Sequence, residues 1–441
     1  MITTELTKKE LLIESLNELD FSNEPQFAQE LRDNAKIALE NLEFPTSKTE
    51  YWKYTRIGKI INKNYGIQNE VSENPVDISS YLIPEMDANV VVLVNGFYRA
   101  DLSQITPQEG IKIHALNAAI KKEDGFIKSH LGAIAKSEKE IFIALNTLCF
   151  TDGVYIDLEK GIITEKPIHI INVITNDSLI TNSRTIVKAH DNSSVKIVES
   201  FVNLQGEQSF TNNVSEFFLN PNAQVEYTKI QNKGGESYHV STEQVYQRKS
   251  SNFTINTITL DGTLVRNNLN IDVDAEGCET NLNGIYLGKN KNHIDNHTIV
   301  DHLKPNCNSN EVYKGILDDN SVGVFNGKVF VRPDAQKTNA FQQNNNILLT
   351  DDAVINSKPE LEIYADDVKC SHGSTIGQLN EEAIFYLQAR GVSQKSAINM
   401  MITAFAKDAL ERVSIDPLKT YIENKIEDRF GVESKVNKVE S

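Results

Sequence analysis

A polar turn followed by a short strand recurs through the middle of this chain, and that recurrence restricts its fold more than any other feature. Asp191-Asn-Ser-Ser-Val-Lys-Ile197 and Asn220-Pro-Asn-Ala-Gln-Val-Glu-Tyr227 share it, with weaker echoes beginning near Ser250, Ala275 and Pro305. The step is ~25–30 residues, enough for one coil of two or three strands. Such coils stack, and the stack buries a continuous core that no single coil could bury. From about residue 89 to residue 376, runs rich in Val, Ile, Thr, Tyr and Phe alternate with Asn, Asp, Gly and Ser clusters, as at 91–94, 168–174 and 185–188. A β-sandwich also uses short strands at close spacing. The long repeat favours a parallel β-helix.

The two ends read as helical. Leu6, Leu11, Leu12, Leu16 and Leu19 mark one face of a helix expected over residues 5–20. Pro25 opens a second, with Phe27, Leu31, Ala35 and Leu39 on one side, and Phe44-Pro45 closes it. Between the ends, only residues 116–128 suggest a helix. Beyond Gln378, Asn380 is the expected N-cap, Glu381 and Glu382 sit in the positive first turn, and Arg390-Gly391 ends the helix. Ser393 caps the next helix, whose Ala397, Met400, Met401, Ala404, Phe405 and Ala409 form an apolar face, read as core. Asp416-Pro417 opens a third helix that runs to Phe430, and the tail from residue 432 reads as frayed. The expected fold is mainly β with helical ends, in three units: a helical region 1–88, a β-helix core 89–378 and a helical region 379–441. Because solenoid coils contact mainly their neighbours, the last unit is expected to be removable without unravelling the stack.

Composition excludes several functions. At 441 residues the chain can bury a large core, and its net charge of −17 argues against nucleic acid and anionic membranes. No run of 18 apolar residues is present, and the first ten residues hold no apolar stretch, so a cytoplasmic protein is expected. The four cysteines, Cys149, Cys278, Cys307 and Cys370, are widely spaced and form no CxxC pair. There is no GxxxxGK[ST] loop for ATP, no GxGxxG fingerprint, no GxSxG elbow and no CxxCxxxC cluster motif.

One short segment concentrates metal-binding chemistry. Asp366-Asp-Val-Lys-Cys-Ser-His-Gly373 puts Cys370 two residues from His372, just before strand pattern gives way to helix. In an extended chain both point to one face, roughly 6.5–7 Å apart. A thiolate beside an imidazole is a soft half-site for a metal or sulfide species, and two ligands cannot close it. The bland alternative is a weakly exposed Cys and a surface His. His293, His297 and His302 invite a metal reading too, but the local sequence reads as strand, where four residues span ~13 Å. Polar stacking is the better expectation for them. Cys278 and Cys307 read as buried, inert thiols, and Gln342-Gln-Asn-Asn-Asn346 as a ladder of amides between coils.

The segment from Lys358 to Gly391 resembles the C-terminal signature of the SufB/SufD family of iron–sulfur cluster assembly scaffolds, SufD branch. Further matches are His293-Ile-Asp-Asn-His-Thr-Ile-Val-Asp-His302, Ser309-Asn-Glu-Val-Tyr-Lys-Gly315, Gly323-Val-Phe-Asn-Gly-Lys328, Asp334-Ala-Gln-Lys-Thr-Asn339 and Glu50-Tyr-Trp-Lys-Tyr-Thr55. The resemblance implies a right-handed parallel β-helix. It implies a SufB subunit and the ABC-type ATPase SufC as partners, with the C-terminal helices binding the ATPase. It implies that His372, with Cys370 as a weaker second, faces SufB where a nascent, transient iron–sulfur cluster forms. The sulfur-accepting cysteine of such systems belongs to SufB, so this chain is expected to be a non-catalytic scaffold subunit, able to pair as a homodimer when isolated. Complexes of the family are also linked to reduced flavin, and no segment here marks a flavin site. Two rivals remain from the residues alone: a carbohydrate-active β-helix lyase or hydrolase, for which Asp366-Asp367 is the tempting acid pair, and a purely structural interaction protein.

Overall fold

The computed structural model describes residues 19–204 and 208–430. The leucine-rich helix expected over residues 5–20 lies almost wholly outside the described residues, and the tail from residue 432 lies entirely outside them. Eight coils, each of two strands, build a parallel β-helix: the first contributes Asp152–Leu158 and Ile168–Ile174, the last Val354–Ile363 and Lys369–Gly377. Alternate strands enter two facing sheets, so every coil pairs in parallel with the next. In the second sheet Gln224 lies beside Asn252, and the same position continues through Glu279, Asn308, Asn339 and Lys369.

The repeat seen in the sequence is one corner of this coil. Asn192, Asn222, Ser250, Gly277, Asn306 and Lys337 occupy it in successive coils, all with φ between 56° and 74°. Asn and Gly tolerate this left-handed backbone best, which explains why the turn signal is rich in them. The N–H of Asn192 bonds Pro221 O at 3.0 Å, that of Asn222 bonds Lys249 O at 2.9 Å, and that of Asn306 bonds Gln336 O at 2.9 Å, so corner stacks on corner. The next residue turns into the core and is small and buried: Ser193, Ala223, Ser251, Cys278, Cys307 and Thr338.

Side chains fill the lumen. Some of it is apolar, with Ile197, Phe217, Tyr227, Phe253, Leu282 and Phe325 in contact. The rest is polar and paired, as burial demands. Lys229 Nζ reaches from the second sheet to the Glu243 carboxylate on the first at 2.8 Å and to Ser241 Oγ at 2.6 Å. Asn296 accepts from Asn267 at 2.9 Å.

The first coil is covered: Ile111–Ala115 pairs antiparallel with one of its strands, and Asn89–Val94 extends the other. A helix the sequence did not announce, Ile141–Cys149, packs on the outer face of the first sheet, and all but one of its residues are buried. Apart from Asn146 and Thr147, which are buried and hydrogen-bonded, its residues are apolar, so no broad polar face contrasts with the buried one. Among the described residues of the N-terminal region the one long helix is Gln26–Asn41, followed by the short helices Glu50–Trp52, Gly58–Ile61 and Ser79–Tyr81 and the two-residue strand Gly66–Ile67.

The C-terminal helices correct two expectations. Gln394–Leu410 and Asp416–Phe430 lie against the outer face of the second sheet, where Ile402, Ala406, Leu410, Leu418, Ile422 and Ile426 cover Ile230, Ile258, Ile285 and Ile316. They belong to the core, and deleting them would bare an isoleucine face, so the expected clean removal does not hold. The buried stripe of the first of these helices is Ala397, Ile402, Ala406, Ala409 and Leu410, while Met400 is exposed. Ala397 and Ala409 of the expected face are buried and Phe405 packs beside them, but the isoleucine columns of the sheet draw in Ile402, Ala406 and Leu410 and leave Met400 outside. The caps fall as expected: Asn380 accepts from Ala383 N and Ser393 from Ser396 N, both at 3.1 Å.

Gly284 makes room for the next coil. A Cβ there would lie 2.1 Å from Tyr313 Cδ1, whereas a Cβ on Gly373 meets nothing within 4 Å. Gly284→Ala is expected to cost about 1–3 kcal/mol by overpacking, and Gly373→Ala less than about 0.5 kcal/mol; urea unfolding of the two variants measures the difference.

Candidate functional site at the open end of the solenoid

Among the described residues no strand continues the ladder past Val354–Ile363 or Lys369–Gly377. Both are edge strands with one row of unpaired main-chain groups, a ready template for another chain. Pro359 blunts the first edge, since it has no N–H to offer. The Lys369–Gly377 strand carries no such block.

Strand alternation decides what this end presents. Cys370, His372, Ser374 and Ile376 pair with Ala340, Gln342, Asn344 and Asn346, which all point into the lumen and are buried. In earlier coils the next rung roofs such side chains. Here no rung follows: His372 is exposed, and Ile376 is 54 % exposed. Cys370 is half-buried against Val329, Val331, Ala335, Ala340 and Ala365, and this burial raises its thiol pKa. As the sequence suggested, Cys370 and His372 are two residues apart on one strand and share a face. Among the described residues no three His, Cys, Asp or Glu side chains come together as a metal site.

A polar column lies beneath His372. Gln342 occupies the same position one coil earlier and Glu311 the same position before that. Gln342 Nε2 donates to Glu311 Oε2 at 2.7 Å, and Thr298 Oγ1 donates to Glu311 Oε1 at 2.6 Å. Gln342 Oε1 is buried without a partner. Burial pushes the Glu311 carboxyl up to about 7.

Comparison with known proteins agrees with this architecture. Residues 172–405 match the model described as "SUF system FeS cluster assembly, SufBD core domain", and residues 9–170 match "SufBD protein N-terminal region". This chain belongs to the SufB/SufD family. It is 31 % identical over 405 residues to an iron–sulfur cluster assembly SufBD family protein of Synechocystis, covering 88 % of both chains. It is 29 % identical over 413 residues to the Escherichia coli iron–sulfur cluster assembly protein SufD, covering 92 % of this chain and 93 % of that one. It is 27 % identical over 396 residues to the chloroplastic protein ABCI7 of Arabidopsis thaliana, covering 87 % and 82 %.

Two of the segments that resemble the SufB/SufD family meet in space. Thr55 Oγ1 lies 2.9 Å from His293 Nε2 and donates to Asp295, which also takes the Arg266 guanidinium. Trp52 covers Arg266 at 4.4 Å, and Tyr51 sets its ring edge-on to His297. His302 instead bonds Ser309 Oγ at 2.9 Å inside the core. The three histidines thus make polar and ring contacts between segments, in line with the polar stacking expected of them. Of the amide run, Gln342, Asn344 and Asn346 face the lumen, and Asn346 Nδ2 donates to Asn344 Oδ1 at 2.7 Å. Cys278 and Cys307, expected as separate inert thiols, lie one above the other in adjacent coils.

A cleft of about 560 Å3 separates the N-terminal segment from the outer face of the first sheet, with Trp52, Arg266, Asp272, His297 and Asp301 among its walls. Asp272 and Asp301 pair across adjacent strands there. Asp301 already takes a two-pronged contact from Arg332 at 2.8 and 2.7 Å, so these two carboxylates do not make a free acid/base pair. No helix among the described residues is long and apolar enough to cross a membrane.

What sequence reading missed is the open end itself, with Ser374 and Ile376 beside the two site residues. Its only signal was the last strand-like segment running directly into a helix cap.

The folded-state pKa of Glu311, about 7, lies above its ordinary 4.5. Its protonated form therefore favours the fold fully below pH 4.5, and that contribution is lost as pH rises through 7. Glu311→Gln has no charge to bury, so its stability relative to the parent should climb between pH 5 and pH 8, by at most about 3 kcal/mol. Urea unfolding at both pH values measures the climb.

Proposed function

We propose that this chain is a SufD-type subunit of an iron–sulfur cluster assembly scaffold, working in the cytoplasm without catalytic chemistry of its own. The open solenoid end would receive the matching edge of a SufB subunit. His372 would hold iron or sulfide there, with Cys370 as the weaker second ligand. The observation that carries this reading is an unroofed lumen face bearing an imidazole and a thiol on an unpaired edge strand. Two ligands leave a nascent cluster short of donors, so the partner chain supplies the rest. Burial keeps Cys370 a poor nucleophile, which supports placing the sulfur-accepting thiol elsewhere. In isolation the same edge would take a second copy of this chain.

We further propose the division 1–88, 89–378 and 379–441, with the last unit contacting the SufC ATPase. Glu381–Ala389 buries none of its residues, and its Phe385 and Tyr386 stand 71 % and 55 % exposed. Large apolar side chains standing exposed on a helix that touches chiefly the helix after it mark a docking face.

His372→Ala should change stability by no more than about 0.5 kcal/mol, because the side chain is exposed. It should nevertheless abolish most cluster formation in cells. Complementation of a strain lacking this gene, with complex yield measured in parallel, tests both statements. Full rescue at normal complex levels would remove the site, and loss of complex would make His372 structural. Replacing Phe385 and Tyr386 together by Ser should weaken ATPase-subunit binding at least about tenfold while leaving pairing with SufB intact; titration calorimetry with each partner separates the two.

A further inference from the structure

We propose that Cys278 and Cys307 form a disulfide across adjacent coils when a hydroperoxide reaches them, a modification site inside the solenoid wall and separate from the open end. The corner described above places them. Each follows the left-handed residue of its coil, Gly277 in one and Asn306 in the next, and each turns into the core. The slot accepts only small side chains, and here two consecutive coils fill it with thiols. The pair directly after them, Glu279 and Asn308, is in register.

Neighbouring strands stand about 4.7–4.9 Å apart, inside the Cα separation of about 4.4–6.8 Å that a disulfide spans. The sulfurs converge. Cys278 Sγ lies 3.3 Å and Cys307 Sγ 3.1 Å from the same carbonyl oxygen, Ala275 O. Side-chain rotation alone brings them together, with the main-chain ladder intact. The flanking members of the column are Ser251 and Thr338, so the chemistry is confined to this one rung pair.

The chemistry closes with one named oxidant. The neighbouring Cys307 thiol draws the pKa of the Cys278 thiol down, and Cys278 pushes that of Cys307 up. The Cys278 thiolate attacks one peroxide oxygen, the O–O bond breaks, and a sulfenic acid and hydroxide result. Cys307 then attacks the Cys278 sulfur, the S–O bond breaks, and the oxygen leaves as water after taking up the thiol proton. Two thiols and one hydrogen peroxide thus give one disulfide and two waters. The Arg248 and Ala275 carbonyl oxygens around Cys278 oppose the thiolate. Both sulfurs are fully buried beneath the exposed Glu276-Gly277 turn, so the reaction is slow and admits a small oxidant.

The test uses the full chain. After treatment with hydrogen peroxide, free thiols are blocked in denaturant and the protein is digested with trypsin. The expected product joins the peptide carrying Cys278, residues 267–289, to that carrying Cys307, residues 292–314, with the mass of two hydrogens lost. A reductant should separate them. The oxidised protein should melt at a higher temperature than the reduced one, and Cys307→Ser should lose both the linked peptide and the shift. Linkage of either cysteine to Cys370 would overturn the proposal. So would over-oxidation of Cys278 without linkage, or both thiols remaining free after Cys370 has been oxidised. Because the decisive measurement is on the parent protein, a poorly folding variant would not rescue the idea.

Discussion

Coil upon coil, main-chain N–H and C=O groups bond along the solenoid axis, and each residue is held beside its counterpart one coil earlier. That register is the constraint everything else obeys. A slip of one residue would turn every lumen side chain outward, placing Lys229 and Glu243 on opposite faces and leaving a buried charge unpaired. The cost of an unpaired ion in the core is several kcal/mol, so the polar lumen does as much to specify the register as the apolar columns do. The left-handed corner contributes in the same way, because only a residue that tolerates positive φ can occupy it.

A stack of this kind is indifferent to length, and so its ends decide what it is. At the first coil, antiparallel Ile111–Ala115 and the Asn89–Val94 hairpin close the edges. At the last coil, among the described residues, the ladder stops with its lumen face bare. The same alternation that hides Gln342 and Glu311 exposes His372 directly above them. Main-chain groups ready for pairing and the Cys370–His372 side-chain pair therefore arrive at one surface from one cause. A partner that continued the ladder would satisfy both and would exclude water from whatever forms between the chains.

The outer faces explain why so much of the sequence resembling a known family lies away from that end. The segment around Trp52 and Thr55 crosses the first sheet and is pinned by Arg266, Asp295 and His293. The second sheet is covered by the two C-terminal helices, with Lys314 reaching Asp408 and the Phe405 carbonyl. These contacts clamp the coils next to the open end on both faces, and support of that kind is what a site built on an edge strand would require. The exposed helix Glu381–Ala389 hangs between this clamp and the last coil.

The sequence alone determined the repeat, its corner, the helix caps at Asn380 and Ser393, and the shared face of Cys370 and His372. These are local facts: a left-handed φ, a capping oxygen and the two-residue period of a strand are readable within a few residues. The tertiary structure alone decided the rest. The largely apolar helix Ile141–Cys149 has no broad polar face for a period to reveal. On the Met-containing helix the isoleucine columns of the second sheet drew in Ile402, Ala406 and Leu410 and left Met400 outside. Cys278 and Cys307 are 29 positions apart and became neighbours because one coil is that long at that point. Whether His372 is roofed or bare depends on whether another strand stacks on it, which none among the described residues does, and a chain describes its own strands locally but not where the stacking of distant ones comes to a stop.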